Sequence, residues 1–155
     1  FILFLLLIFS HIACAQNPKT PNAPAQDFSC QKTDAEWKAQ LDDNAYYVLR
    51  EAGTERPFSS KLLNEKRQGF YHCANCGAKL FASTAKFDSG TGWPSFSEAL
   101  PGAFKTKIDY SFGMKRKEYH CAKCGAHHGH VFNDGPTESR KRFCNNGLCL
   151  IFKPN

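Results

Sequence analysis

Eight cysteines are distributed along 155 residues, and their spacing separates them into groups with different chemistry. Residues 71–78 read Y-H-C-A-N-C-G-A and residues 119–126 read Y-H-C-A-K-C-G-A, two copies of one turn that differ only at Asn75 and Lys123. In each copy two thiols can grip one ion. The glycine behind them can take a left-handed backbone that turns amides toward sulfur. Cys73, Cys76, Cys121 and Cys124 together offer four soft ligands, a set that suits one tetrahedral Zn2+ per chain. His72 and His120 precede the two turns, but four thiolates already fill the shell. A full shell leaves no open position, so the ion is expected to be structural, and hydrolysis by a zinc-bound water is disfavoured. Disulfides, or a redox pair in each turn, are the competing readings. Neither predicts two near-identical turns, each closed by glycine. Two further cysteines, Cys144 and Cys149, lie in K-R-F-C-N-N-G-L-C-L-I-F at 141–152, an apolar, strand-like run.

The elements that must position these residues are short. Thr33-Asp34-Ala35-Glu36 is a capping box and starts a helix carrying Trp37 and Leu41. A second helix is expected from about Asn44 to Glu51, with Gly53 as its stop. Beyond Gly53 glycine and proline recur at short intervals between aromatic pairs and singlets, the texture of many short strands and turns. Phe1–Phe9 carry no charge and are followed by S-H-I-A-C-A-Q, with small residues around Cys14. Residues 1–15 therefore read as a secretory signal peptide cleaved after Ala15, too short an apolar run to span a membrane. Cys14 is alternatively a lipidation site, which would make the product a membrane-anchored lipoprotein. Residues 16–32 hold several prolines and read as an extended linker, and residues 33–155 as one domain. Export implies a periplasmic or otherwise extracytoplasmic location. The net charge of +6 is spread along the chain. It is taken as solvated surface and not as a nucleic-acid face.

Three further stretches carry a family resemblance. Asp88–Phe96 (D-S-G-T-G-W-P-S-F) resembles the G-W-P-S-F segment of the methionine sulfoxide reductase B family. His127–Pro136 (H-H-G-H-V-F-N-D-G-P) resembles its H-x-G-H-V-F-x-D-G-P segment, and Arg142–Asn146 (R-F-C-N-N) its R-[FY]-C-x-N segment. Lys32–Trp37 and Arg50–Phe58 are similar to the family as well, so the likeness runs from about residue 31 to the C-terminus. It implies a mainly β fold: two small antiparallel sheets in a tent- or barrel-like arrangement, with short N-terminal helices and a zinc clamp away from the active site. It also implies thiol-dependent reduction of the R-epimer of methionine sulfoxide, in oxidised proteins or free, with Cys144 as nucleophile, by a protein that acts as a monomer. The sulfenic acid formed on Cys144 would be reduced at the expense of a thioredoxin-like reductant.

These residue types suit that reaction. On an extended strand Arg142, Cys144 and Asn146 share one face. Arg142 is expected to lower the thiol pKa, and Asn146 to hydrogen-bond the sulfoxide oxygen or a water. By the resemblance His127 and His130 lie near the substrate, His130 being the better candidate for polarising the oxygen or delivering a proton. Trp93 offers an apolar wall for the substrate methyl, and Phe132 helps to enclose it. Asp134 and Glu118 can orient an arginine or a histidine, and His128 is expected to be exposed. Thr91 stands where many members carry a resolving cysteine. Cys30 in the N-terminal linker is the favoured substitute. Cys149 turns to the opposite face and reads as core, and an external thiol is the remaining route. A secreted zinc-ribbon interaction module without catalysis would explain the two turns and the charge, but not R-F-C-N-N or H-H-G-H.

Overall fold

The computed structural model describes residues 28–155. The expected signal peptide, most of the linker and Cys14 lie outside the described residues. The capping box forms as expected. The Thr33 hydroxyl accepts the Glu36 amide at 3.3 Å, and the Glu36 carboxylate accepts the Thr33 amide at 2.7 Å. Helix α1 spans Asp34–Gln40 and buries Trp37, over whose ring lie Lys32 and the Arg50 guanidinium. Helix α2 spans Asp43–Glu51 and starts one residue before the expected Asn44, because Asp42 caps it by accepting the Ala45 amide at 2.9 Å. Ala52, and not Gly53, takes the left-handed conformation at its end, with φ of 56°. Gly53 is needed for space: a Cβ there would collide with the Tyr47 ring. No helix among the described residues is long and apolar enough to cross a membrane.

The body is mainly β. A three-stranded antiparallel sheet has β1 (Gly69–Cys73) between β2 (Lys79–Ala82) and β9 (Leu150–Pro154). A six-stranded sheet runs in the order β3 (Lys86–Phe87), β4 (Ser95–Phe96), β8 (Arg142–Asn145), β7 (His127–Phe132), β6 (Arg116–Cys121) and β5 (Phe104–Asp109), again with antiparallel neighbours. Aromatic side chains from both sheets fill the core. Phe81 of β2 stacks on Phe96 of β4 at 4.0 Å, Tyr71 of β1 meets Phe96 edge-on, and Phe104 of β5 meets Tyr119 of β6 edge-on. Each fully buried ring contributes about 2–3 kcal/mol of burial free energy.

The two repeated turns are hairpin tips. One joins β1 to β2 in the smaller sheet, and the other joins β6 to β7 in the larger. Gly77 and Gly125 sit at φ of 73° and 72°, the left-handed region the turn requires. Their meeting ties the sheets together at one edge. A second close approach sets the chemistry. In β7 and β8, Gly129 pairs with Asn145 and His130 with Cys144. A Cβ at Gly129 would strike the Cys144 carbonyl oxygen, so the middle position of H-H-G-H-V must be bare.

His128 corrects the sequence expectation. It is fully buried, not exposed: its Nδ1 lies 3.2 Å from Asn145 Oδ1 and its Nε2 3.4 Å from Cys73 Sγ. Burial pushes its pKa down to about 3, so it is a neutral core imidazole. It joins the cysteine cluster to the strand that carries Cys144. The Tyr119 hydroxyl donates to the same Asn145 oxygen at 2.9 Å, which accounts for a buried asparagine at that position.

Candidate active site

Cys144 opens into a cavity of about 210 Å3. Trp93, His130, Phe132 and Asn146, all singled out from the sequence, line it together with Cys144. Thr54 and Arg116 line it too and were not anticipated. Arg142 and His127 are not on its wall. The Arg142 guanidinium grips Asp134 with two bonds of 2.8 and 2.9 Å, stacks 4.6 Å from the Phe132 ring centroid, and its positive charge favours the Cys144 thiolate. Burial nevertheless outweighs the cation. The Cys144 thiol is pushed above the ordinary cysteine value, with Arg142 and the Thr91 hydroxyl pulling it back. Arg142 alone therefore does not deliver a free-standing thiolate.

The two histidines are held by carboxylates from β6 and β5. His127 Nδ1 lies 2.9 Å from Glu118 Oε1, and Lys107 Nζ lies 3.3 Å from the other Glu118 oxygen. Burial raises the Glu118 pKa, but His127 and Lys107 outweigh it and hold the carboxyl below its usual range. His127 Nε2 is buried without a protein partner. His130 Nε2 lies 2.9 Å from Asp109 Oδ2, and Arg116 and Ser111 bind the same carboxylate. An ionised carboxylate only accepts, so neutral His130 carries its proton on Nε2 and presents Nδ1 as an acceptor. Burial lowers the His130 pKa against the pull of Asp109. The two rings are 5.7 Å apart. A second cavity, about 590 Å3, contains His127 and shares Thr54, Arg116 and His130 with the first.

Asn146 follows β8 and is anchored to main chain. Its Nδ2 donates to the His128 carbonyl at 3.1 Å, and its Oδ1 accepts the Glu55 amide at 3.0 Å. One N–H and one lone pair of the amide stay available to the cavity. Trp93 is fixed by its indole N–H, which donates to the Glu55 carbonyl at 3.1 Å. Glu55 is the residue the sequence did not single out. Its buried carboxylate accepts the amides of Gly147 and Leu148, so one residue holds Trp93, Asn146 and the turn after Cys144. Its only sequence signal was a charged residue inside the short non-periodic run between Gly53 and Pro57. Burial raises its pKa against the two amide bonds.

The remaining cysteines separate by environment. The Sγ atoms of Cys73, Cys76, Cys121 and Cys124 all lie within 4.8 Å of one another. Cys73–Cys124 and Cys76–Cys121 are 3.8 and 3.7 Å apart. Four sulfurs at about 2.3 Å from a tetrahedral ion would stand about 3.8 Å apart. The donor set and spacing therefore fit a closed metal site. Cys149 is fully buried as expected, its thiol donating to the His127 carbonyl at 3.3 Å, but it lies in the short 3-10 turn Gly147–Cys149 between β8 and β9, so the turn and its packing, and not strand parity, bury it. Cys30 is half-buried against the second turn, its amide donating to the Lys123 carbonyl at 2.9 Å, and it does not line the Cys144 cavity.

A SelR domain matches residues 41–154. The chain is 56% identical over 129 residues to the peptide methionine sulfoxide reductase MsrB of Variovorax paradoxus, covering 79% of this chain and 95% of the relative. It is 51% identical over 124 residues to the protein of that name from Thiobacillus denitrificans, covering 79% of this chain and 94% of the relative. The Pseudomonas entomophila protein of that name is 54% identical over 124 residues, at 79% and 95% coverage. The matched segment contains the cysteine cluster and every residue described around Cys144, and with it the chain belongs to the methionine sulfoxide reductase B family.

Proposed function

We propose that the protein reduces the R-epimer of methionine sulfoxide, in oxidised proteins or free, and so repairs oxidative damage. The reading is carried by the convergence of Cys144, Trp93, His130, Phe132 and Asn146 on one small cavity. The Cys144 thiolate attacks the sulfoxide sulfur, the oxygen passes to Cys144, and methionine leaves with its sulfur reduced by two electrons. Cys144 is left as a sulfenic acid. Trp93 and Phe132 enclose the methyl group, while Asn146 and the carboxylate-held histidines bind the oxygen and handle its proton. Arg142, steadied by Asp134, offsets the negative charge on sulfur. One thiol then displaces water from the sulfenic acid to give a disulfide, and a second thiol opens it.

In this reading a thioredoxin-like protein supplies the second thiol. Cys30 supplies the first, since Cys149 is buried and four others form the metal cluster. Reaching Cys144 requires the segment around Cys30 to leave the second turn. The cluster holds one structural Zn2+, supported by its four thiols and sulfur spacing. The protein, acting as a monomer, works in an extracytoplasmic compartment; the apolar, uncharged start of the sequence supports the export. The test is turnover of R- and S-methionine sulfoxide with dithiothreitol by wild type and Cys144→Ser. Turnover of the R-epimer alone, lost in the variant, is expected. Turnover of the S-epimer alone, or activity surviving the substitution, would refute the proposal. Mass mapping after one turnover without reductant should find a Cys30–Cys144 disulfide, and a lasting sulfenic acid at Cys144 would remove Cys30 from the scheme.

A further inference from the structure

The loop before Trp93 folds back on Cys144 and carries three hydroxyls. Pairing of β4 with β8 sets Ser95 opposite Cys144. The Ser89 hydroxyl lies 2.8 Å from that of Ser95 and 2.8 Å from that of Thr91. The Thr91 hydroxyl, at the near end, favours the charged form of Cys144 and draws its thiol pKa down. At the far end the Ser95 hydroxyl is 3.2 Å from the Trp93 carbonyl. The three hydroxyls form a chain from Thr91 through Ser89 and Ser95 to the Trp93 carbonyl, beside Cys144, which Ser95 faces across the strand pair.

Such a chain has a direction, because each hydroxyl owns one proton. A carbonyl only accepts. When Cys144 is a thiol, every hydroxyl points toward the Trp93 carbonyl: Thr91 donates to Ser89, Ser89 to Ser95 and Ser95 to the carbonyl. A thiolate also only accepts, so the order must turn: Ser95 donates to Ser89, Ser89 to Thr91, and Thr91 to sulfur. Only hydroxyl rotors move. The Thr91 amide remains on the Ser89 oxygen at 3.4 Å in either state.

We propose that Thr91, backed by Ser89 and Ser95, is a positioning residue for Cys144, whose hydroxyl turns to donate a hydrogen bond to the thiolate as it forms. The proposal rests on Cys144 being the nucleophile. The charged and titratable groups around the sulfur are Arg142 on the same strand, His130 opposite it on β7, Asp134 beyond the β8 edge and Tyr119 on β6. Arg142 is shared with Asp134 through two bonds, which weakens its hold on sulfur. In the reversed chain the Thr91 proton has no acceptor but the sulfur, and a charge-assisted bond of this kind is among the stronger ones. It offsets part of the burial that disfavours the thiolate.

The test is the pH dependence of Cys144 alkylation by iodoacetamide, followed on the Cys144 peptide by mass spectrometry. It is measured in the full-length wild type and in Thr91→Val, Thr91→Ser and Ser89→Ala. Thr91→Val, nearly isosteric, should raise the alkylation midpoint by about one pH unit, which is about tenfold slower alkylation below both midpoints. Thr91→Ser should restore the wild-type midpoint, and Ser89→Ala should shift it the same way by less. Metal content and thermal midpoint serve as fold controls for each variant. A Thr91→Val midpoint equal to wild type would overturn the proposal, as would a Thr91→Ser midpoint shifted as far as that of Thr91→Val. The two readings fail separately. Turnover surviving in Cys144→Ser removes the nucleophile while leaving the alkylation shift intact. An inactive Cys144→Ser with an unshifted Thr91→Val removes only the hydroxyl chain.

Discussion

Removing the Glu55 carboxylate tests how the cavity is held open. The side chain is 8% exposed and accepts the amides of Gly147 and Leu148, the second at 3.1 Å. Glu55→Ala strips the acceptor from two amides in the turn that follows Cys144. A buried amide without a partner costs about 1–3 kcal/mol, which applies to Gly147, while Leu148 is exposed and its amide can turn to water. Burying the charge already costs the wild type something, as the raised pKa of Glu55 records, and losing that cost returns part of the penalty. A net destabilisation of about 1–3 kcal/mol is expected. Glu55→Gln keeps one acceptor and sheds the charge, so it should cost less, about 1 kcal/mol. The backbone of residue 55 holds Trp93 and Asn146 through its carbonyl and amide, so both variants keep those bonds only if the loop stays in place. Urea unfolding followed by tryptophan fluorescence gives the stability, and turnover of a sulfoxide-bearing peptide gives the consequence for the site. Ala should lose both, with activity falling more than tenfold, and Gln should lose little of either. An Ala variant within about 0.5 kcal/mol of wild type would refute the clamp, because leaving the buried Gly147 amide without a partner costs more than that.

Two further outcomes follow from other parts of the fold. Cys73→Ser or Cys121→Ser should lose the bound metal, measured by elemental analysis at one ion per wild-type chain. Each should also lower the thermal midpoint sharply, because the cluster joins the tips of hairpins from the two sheets. Glu118→Gln should destabilise the protein at neutral pH by about 1–3 kcal/mol through loss of the His127 and Lys107 contacts. The Glu118 pKa is depressed in the folded state, so its contribution is present above the unfolded value of 4.5 and fades as pH falls through the folded value. Unfolding curves of wild type and Glu118→Gln should therefore converge in acid. A gap that persists well below that range would assign the loss to packing.

What the sequence determined by itself is local. The capping box at Thr33 and the two C-x-x-C-G turns depend on contacts within a few residues and took the expected form, whereas Cys149 is core as expected but through a 3-10 turn that breaks the strand, and not through strand parity. The start of α2 moved by one residue because Asp42 competes successfully as its cap. What the tertiary structure decided lies between segments far apart in the chain. Glu55 meets Gly147 and Leu148 across 92 and 93 positions, and His128 meets Cys73 across 55. Neither pairing has a periodicity or spacing to betray it, so Glu55 went unassigned and His128 was expected in solvent. The balance on the Cys144 thiol is of the same kind. Arg142 two residues away was visible in the sequence, but burial by the surrounding strands was not, and in the fold burial has the larger effect. Residue identity and spacing specify which groups are present and which share a face, while desolvation and long-range hydrogen bonds, which exist only once the sheets close, set how those groups behave.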